Sequence, residues 1–405
     1  MQRICYTGGR LVDVRAGRYF PETAIWVRDG RIEKLSLDAD IPPDAQVIDL
    51  GGLAVVPGLF NVHTHIQFNS TPAGAVIFAS EPRFAVSAMK NLRKYLDSGV
   101  TFIRDMGGAK YVDIEMRDMV REGLIPGPAA QVSGRNLSAT GGQSWQNGVE
   151  VDGKDACIRA VREQCKHDVD WIKVIASGYL TTRTSHYAPQ LSLEELQTIV
   201  EEARRWDRPV GIHAMGGLSA KWAAMAGADS VDHGYYLDEE TLDIMAQKGI
   251  AYVPTLAINY ACVRHRGCEG VTDAMADWAE RTLNEEQAPT IRLARQKGVR
   301  ICVGNDACSP YNDHDGTGYE LMALCEYGGL TPAEALQSAT LHGAALCRVE
   351  DERGALESGK IADFALFAGD PLTDISRMRD CRGVVQAGRV VRPFAAPANS
   401  PAKNS

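Results

Sequence analysis

Residues 58–68 read GLFNVHTHIQF and place His63 and His65 one residue apart at the end of a short apolar run. In a strand, residues i and i+2 leave the backbone on the same face, so the two imidazoles stand side by side. The chain has only nine histidines among its 405 residues, and two of them fall here. A packed pair of core histidines is the plain reading. A metal site is the sharper one, and it needs further ligands elsewhere in the chain.

Seven more short apolar runs follow the first, LFNVHTH: TFIRDM, AAQVSG, WIKVIASG, PVGIHAMG, DSVDHG, AYVPTL and RICVGND. Helical segments lie between most of them. LSLEELQTIVEEARRW opens with Ser192 and Glu195 at capping-box spacing and continues with apolar residues at helical intervals. LTPAEALQSATLHGAAL does the same with Thr331, Pro332 and Glu334. Eight such β-then-α units predict an α/β fold of the (β/α)₈ TIM barrel type over residues 57–359. A doubly wound open sheet would want a glycine-rich phosphate loop after its first strand, and none is present.

The chain ends read differently. AIWVRDGRIEKLSL turns at Asp29-Gly30, a pair favoured in tight hairpins, and GVVQAGRVV turns at Gly388. Residues 1–56 and 360–392 are therefore expected to form one small β-sandwich domain, and the tail 393–405, PFAAPANSPAKNS, to be disordered.

Composition narrows the function classes. The chain is 45% hydrophobic and 23% charged, with net charge −9 and no long Lys/Arg block, which argues against a nucleic-acid partner. No apolar stretch approaches the roughly 18 to 20 residues needed to span a bilayer, so no membrane partner is expected. The start, QRICYTGGRLVDV, lacks a signal-peptide layout, and a cytoplasmic location is expected. The ten cysteines contain no CxxC pair, so a thiolate metal site is not expected.

Barrel enzymes work at the carboxyl ends of their strands. Those ends carry His63 and His65 on the first run, Lys173 in the fourth, His213 in the fifth, His233 in the sixth and Asp306 in the eighth. Taken singly, each has a plain reading: a hydrogen-bonded core histidine, a snorkelling lysine, a helix-capping aspartate. All six on one rim fit Zn²⁺ or a similar transition metal.

HxH on the first strand, followed by Lys, His, His and Asp on the fourth, fifth, sixth and eighth, resembles the amidohydrolase superfamily. GLAVVPGLFNVHTH and GALESGKIADFALFAGDPLTDI resemble its entry into the barrel and its return to the small domain. SATGGQSWQNGVEVDG, APQLSLEEL, VDHGYYLD and GNDACSPYNDHDG are most similar to the prolidase-like branch, related to imidazolonepropionase. The resemblance implies two Zn²⁺ or similar divalent ions bridged by a carbamylated Lys173. It implies that His63, His65 and Asp306 hold the deeper ion and that His213 and His233 hold the second. It further implies a metal-bridging hydroxide that attacks the scissile carbonyl, with Asp306 taking its proton.

The implied substrate is a small molecule with an amide or peptide bond: an N-acyl amino acid, an Xaa-Pro or Xaa-Arg dipeptide, or an amide xenobiotic. A homo-oligomer is also implied. The alternatives are a cyclic amide hydrolase or deaminase of the imidazolonepropionase type and an inactive scaffold of the same fold. One loop departs from the branch, where GGHG is common; here Gly141-Gly142-Gln143-Ser144 offers an amide that donates a hydrogen bond but carries no charge. By the same resemblance Tyr236 is the preferred contact for the tetrahedral oxyanion, and Tyr235, Gln143 and His314 line the pocket. Arg183 and Arg264 are the cations available to a substrate carboxylate.

Overall fold

Leu59–Thr64, Val100–Asp105 and Ala129–Val132 pair in parallel, as do Leu137–Ser138, Ile172–Ile175, Val210–Gly216, Ser230–Tyr236 and Ala251–Val253. The third run joins the two series. Ala129–Val132 pairs back to the second strand, and after a left-handed Gly134 (φ 62°) Leu137 pairs onward to Val174 of the fourth. This is a TIM barrel, seen in a computed structural model that describes residues 3–21, 23–36, 45–69, 71, 78–178 and 185–394. Arg183 and residues 395–405 of the tail lie outside the described residues.

The eighth run closes the barrel without becoming a regular strand. Its only bridge joins Ile301 to Tyr252, because Val303 donates its N–H to Ser338 (3.2 Å) instead of to a neighbouring strand. Closure onto the first strand comes from Val62 N–H to the Val303 carbonyl at 2.8 Å and Asp306 N–H to the His63 carbonyl at 3.0 Å. Gly304 permits that approach, since a Cβ there would lie 2.6 Å from the Cβ of His63.

The helices form where the sequence signals lie. Ser192 accepts the Glu195 N–H at 3.2 Å while Glu195 accepts the Ser192 N–H at 2.8 Å, and Thr331 and Glu334 repeat the exchange. Each such cap is worth about 1 kcal/mol. Helix Leu193–Arg205 buries Leu196, Ile199, Val200 and Ala203, one stripe at helical spacing, against the barrel. Among the described residues no helix is long and apolar enough to cross a membrane.

Both chain ends build the small β domain. Its six-stranded sheet takes Arg10–Asp13, Arg18–Tyr19 and Ala54–Pro57 from one end and Phe364–Phe367, Cys381–Gln386 and Arg389–Arg392 from the other. A four-stranded sheet, Ile4–Thr7, Ala24–Arg28, Arg31–Ser36 and Gln46–Asp49, shares its core through Tyr6, Ile25, Leu11, Val55, Phe364 and Val385. The hairpin at Asp29-Gly30 has φ of 53° and 78°, the double left-handed turn that suits strand twist.

One buried acid ties a helix to the barrel. Glu320, on helix Thr317–Glu326, accepts the Ala257 N–H at 2.6 Å, at the start of the helix after the seventh strand. Its other oxygen has no hydrogen-bond partner, and burial pushes the carboxyl from its ordinary 4.5 up to about 8. Between those values the unfolded chain ionises Glu320 while the folded chain keeps it protonated, so stability falls as pH rises. Glu320→Gln removes that dependence. Its Tm relative to wild type should rise from pH 5.5 to pH 8.5; a constant difference across this range would contradict the assignment.

Candidate metal centre

The backbone bends sharply where the sixth, seventh and eighth barrel runs end. His233, Thr255 and Asp306 have φ of 75°, 50° and 47°, a region non-glycine residues rarely occupy and one that gathers at functional sites. Regular alternation would send Asp232 and His233 to opposite faces. With the left-handed turn at His233, Asp232 meets His63 and Lys173 while the His233 ring lies 4.8 Å from that of His63 and 4.4 Å from that of His213.

The structure brings His63, His65, Lys173, His213, His233 and Asp306 to the lining of one cavity of ≈ 280 Å³. Asp306 lies at its centre. One of its oxygens is 3.3 Å from Nε2 of His65 and 3.8 Å from Nε2 of His63, and the other is 3.9 Å from Nδ1 of His233. The potential ligand atoms of His63, His233 and Asp306 all lie within 4.8 Å of one another. Nε2 of His213 is buried and has no hydrogen-bond partner, an orphaned acceptor or donor that a metal ion would satisfy.

Neighbouring groups hold Nδ1 of three of the rings. Nδ1 of His63 faces Asp232 at 2.9 Å, Nδ1 of His65 faces the Gly107 carbonyl at 2.7 Å, and Nδ1 of His233 faces the Thr255 hydroxyl at 2.9 Å. A carbonyl and a carboxylate accept hydrogen bonds, so His63 and His65 carry protons on Nδ1; Nε2 of His63 is left bare toward the cavity, while Nε2 of His65 hydrogen-bonds Asp306.

Charge states suit a divalent ion. Burial, aided by the nearby Lys173 amine, pushes His63 down to about 4. Burial and His63 push His233 to about 3, and burial holds His213 well below its ordinary value. Only His65 moves up, because its hydrogen bond to Asp306 and that carboxylate's charge outweigh burial. Burial also lowers the Lys173 amine. Asp306 goes the other way: burial would raise it, but the surrounding imidazoles hold it far below the carboxylate range. Mostly neutral imidazoles around one anionic carboxylate is the protonation state that metal ligation requires.

The residues expected at the substrate divide. Gln143 and Tyr235 line the cavity. Tyr236 does not: it is 49% exposed, and Tyr235 is the tyrosine that faces inward. His314 is fully buried beneath the cavity, with Nε2 3.2 Å from the His65 carbonyl and Nδ1 3.0 Å from Asp313, so it braces the His65 backbone and is absent from the lining. Arg264 ends helix Ala257–Arg264 with its guanidinium 5.4 Å from the Tyr260 ring centre, and it too is absent from the lining. Arg183 lies outside the described residues.

Two buried charges escaped the sequence reading. Asp232 precedes His233, and Arg104 interrupts the apolar run TFIRDM. The arginine within a barrel strand was the available signal.

Similar proteins agree with this geometry. A model of the amidohydrolase family matches residues 54–391. Ochratoxinase of Aspergillus niger is 29% identical over 381 residues, 86% of this chain and 77% of that protein. Imidazolonepropionase of Pseudomonas entomophila is 26% identical, over 89% of this chain and 91% of its own. A solved Xaa-Pro dipeptidase with methionine bound in its active site superposes with a TM-score of 0.87 at 28% identity, covering 97% of this chain and 100% of that one. The chain belongs to the amidohydrolase family and is a metal-dependent hydrolase acting on carbon–nitrogen bonds.

Proposed function

We propose that this protein hydrolyses the amide or peptide bond of a small molecule at a binuclear centre, with zinc as the expected metal. N-acyl amino acids, dipeptides and aryl amides are the substrate classes. The observation that carries the reading is the orphaned Nε2 of His213 in the same cavity as His63, His233 and Asp306. Divalent ions held there would acidify a water and polarise the amide carbonyl.

His63, His65 and Asp306 would form the deeper pole of the centre, and His213 and His233 the outer one. Lys173, buried in the same lining with its amine 3.4 Å from Asp232, is the bridging candidate. In its neutral form the amine can add to CO₂, forming an N–C bond and releasing a proton, which leaves one negative charge shared over two oxygens. A protonated lysine in that position would repel metal ions.

Asp306 is the group placed to move protons, accepting one from the attacking water and returning it to the departing amine nitrogen. Gln143, whose backbone N–H is fixed by Gln190 at 2.9 Å, and Tyr235 present polar groups in the cavity where the developing oxyanion would sit. Phe68, Ile175, Met215 and Ile258 supply apolar wall, suited to the side chain or acyl group of the substrate. The retained Lys173 favours this reading over cyclic amide opening or deamination at a single metal.

Three measurements test the proposal. Asp306→Asn should retain metal but lose turnover on the best substrate of such a panel by roughly 10² to 10⁴-fold; full activity would remove Asp306 from proton transfer. Elemental analysis should find two metals per chain in the wild type. Lys173→Ala should lose activity and regain part of it with short carboxylic acids, which stand in for the carbamate. One metal per chain, or no rescue, would contradict the bridged centre.

A further inference from the structure

The barrel interior buries an arginine and an aspartate with no exposure at all, Arg104 from the second strand and Asp232 from the sixth. Every polar atom of the arginine is engaged. Nε donates to the Val62 carbonyl at 2.5 Å, one terminal nitrogen donates to the Ser230 hydroxyl at 3.0 Å, and the other reaches both oxygens of Asp232 at 3.3 and 3.4 Å. Its guanidinium lies 4.4 Å from the Trp171 ring centre. Gly211 packs beside the pair, where a Cβ would overlap the Met106 methyl and come 3.3 Å from an Arg104 nitrogen.

Stability does not explain such a pair. Replacing a buried ion pair by apolar groups of similar size is often neutral or stabilising. The contacts of the aspartate supply the missing reason. One oxygen accepts the Ser230 hydroxyl at 2.8 Å and faces Arg104. The other receives Nδ1–H of His63 at 2.9 Å and lies 3.4 Å from Nζ of Lys173. A single oxygen atom thus touches two of the six rim residues, which come from the first and fourth strands.

We propose that Asp232, anchored by Arg104, is the positioning residue that aims His63 and Lys173 at the metal centre. Its carboxylate holds the His63 proton on Nδ1, so that Nε2 alone faces the cavity, and it stations the Lys173 amine beside that ring. Arg104 touches neither ligand side chain; it holds Asp232 and, at the Val62 carbonyl, the backbone beside His63. The outer pole stands apart from this device, since the nitrogen of His233 faces the uncharged Thr255 hydroxyl. This inference rests on the binuclear reading above.

The test compares wild type, Asp232→Asn, Arg104→Met and Arg104→Met/Asp232→Asn. Each is stripped of metal, checked for fold by its apo Tm, and titrated with Zn²⁺ against a chromophoric chelator. Asp232→Asn should weaken the tighter zinc site by about 10 to 100-fold. The double variant removes both charges of the Arg104–Asp232 pair, should keep an apo Tm no lower than that of Asp232→Asn, and should bind zinc no more than about twofold worse than Asp232→Asn. Wild-type affinity in the double variant would make the pair purely structural, and additive losses would remove Arg104 from the account. Selective ¹⁵N-histidine NMR on wild-type apoprotein gives an independent reading: His63 should be the Nδ1–H tautomer, and the Nε2–H tautomer would overturn the proposal. Wild-type protein that takes up no zinc would overturn the binuclear reading and this inference together, whereas normal wild-type uptake with unaltered variants would overturn this inference alone.

Discussion

Asp306 sits at the mouth of a barrel among imidazoles that burial keeps mostly neutral, and the centre depends on that balance. An isolated buried carboxylate would take up a proton, and an isolated buried histidine would simply seek a hydrogen-bond partner. Here the two requirements meet: Nδ1 of each of three rings is turned to a fixed neighbour, and all three rings line the cavity. The cluster is poorly satisfied as protein alone, with His213 holding a buried nitrogen that nothing meets. A divalent cation resolves these tensions together. The left-handed turns at His233, Thr255 and Asp306 are strain of the kind a stable barrel would not need, and they bring those side chains to the centre.

Much of this was legible in the sequence because the signals were local. HxH one residue apart, a capping box at Ser192 and Glu195, and Asp-Gly between apolar runs each depend on neighbours along the chain. The six rim residues could be gathered from the expectation that they sit at strand ends, and they line one cavity. The unpredicted parts depend on tertiary geometry. Alternation puts Asp232 inside the barrel with Ser230 and sends His233 to the other face, and only the turn at His233 brings that ring to the site as well. A turn of the same segment decides that Tyr235 faces the cavity in place of Tyr236. His314 is drawn under the cavity by the His65 carbonyl and Asp313, a pairing across 249 residues of sequence that no local pattern announces.

Layers of charge down the barrel give the fold a second level of organisation. The rim faces substrate, while Arg104 and Asp232 lie beneath it and set two of its members. An ion pair at that depth adds little net stability, and its natural use is to fix orientation. The small β domain, built from both chain ends, stands apart from the cavity and contributes no residue to its lining among the described residues.

We propose that the six rim residues hold two bridged divalent metals. Anomalous diffraction at the zinc edge, from crystals of the zinc-loaded protein, tests it most directly. The account predicts two peaks, one at about 2.0 to 2.2 Å from ligand atoms of His63, His65 and Asp306 and one beside His213 and His233. Electron density extending from Nζ of Lys173 should connect them. A single peak, or two peaks with an unmodified Lys173 turned away from both, would contradict it.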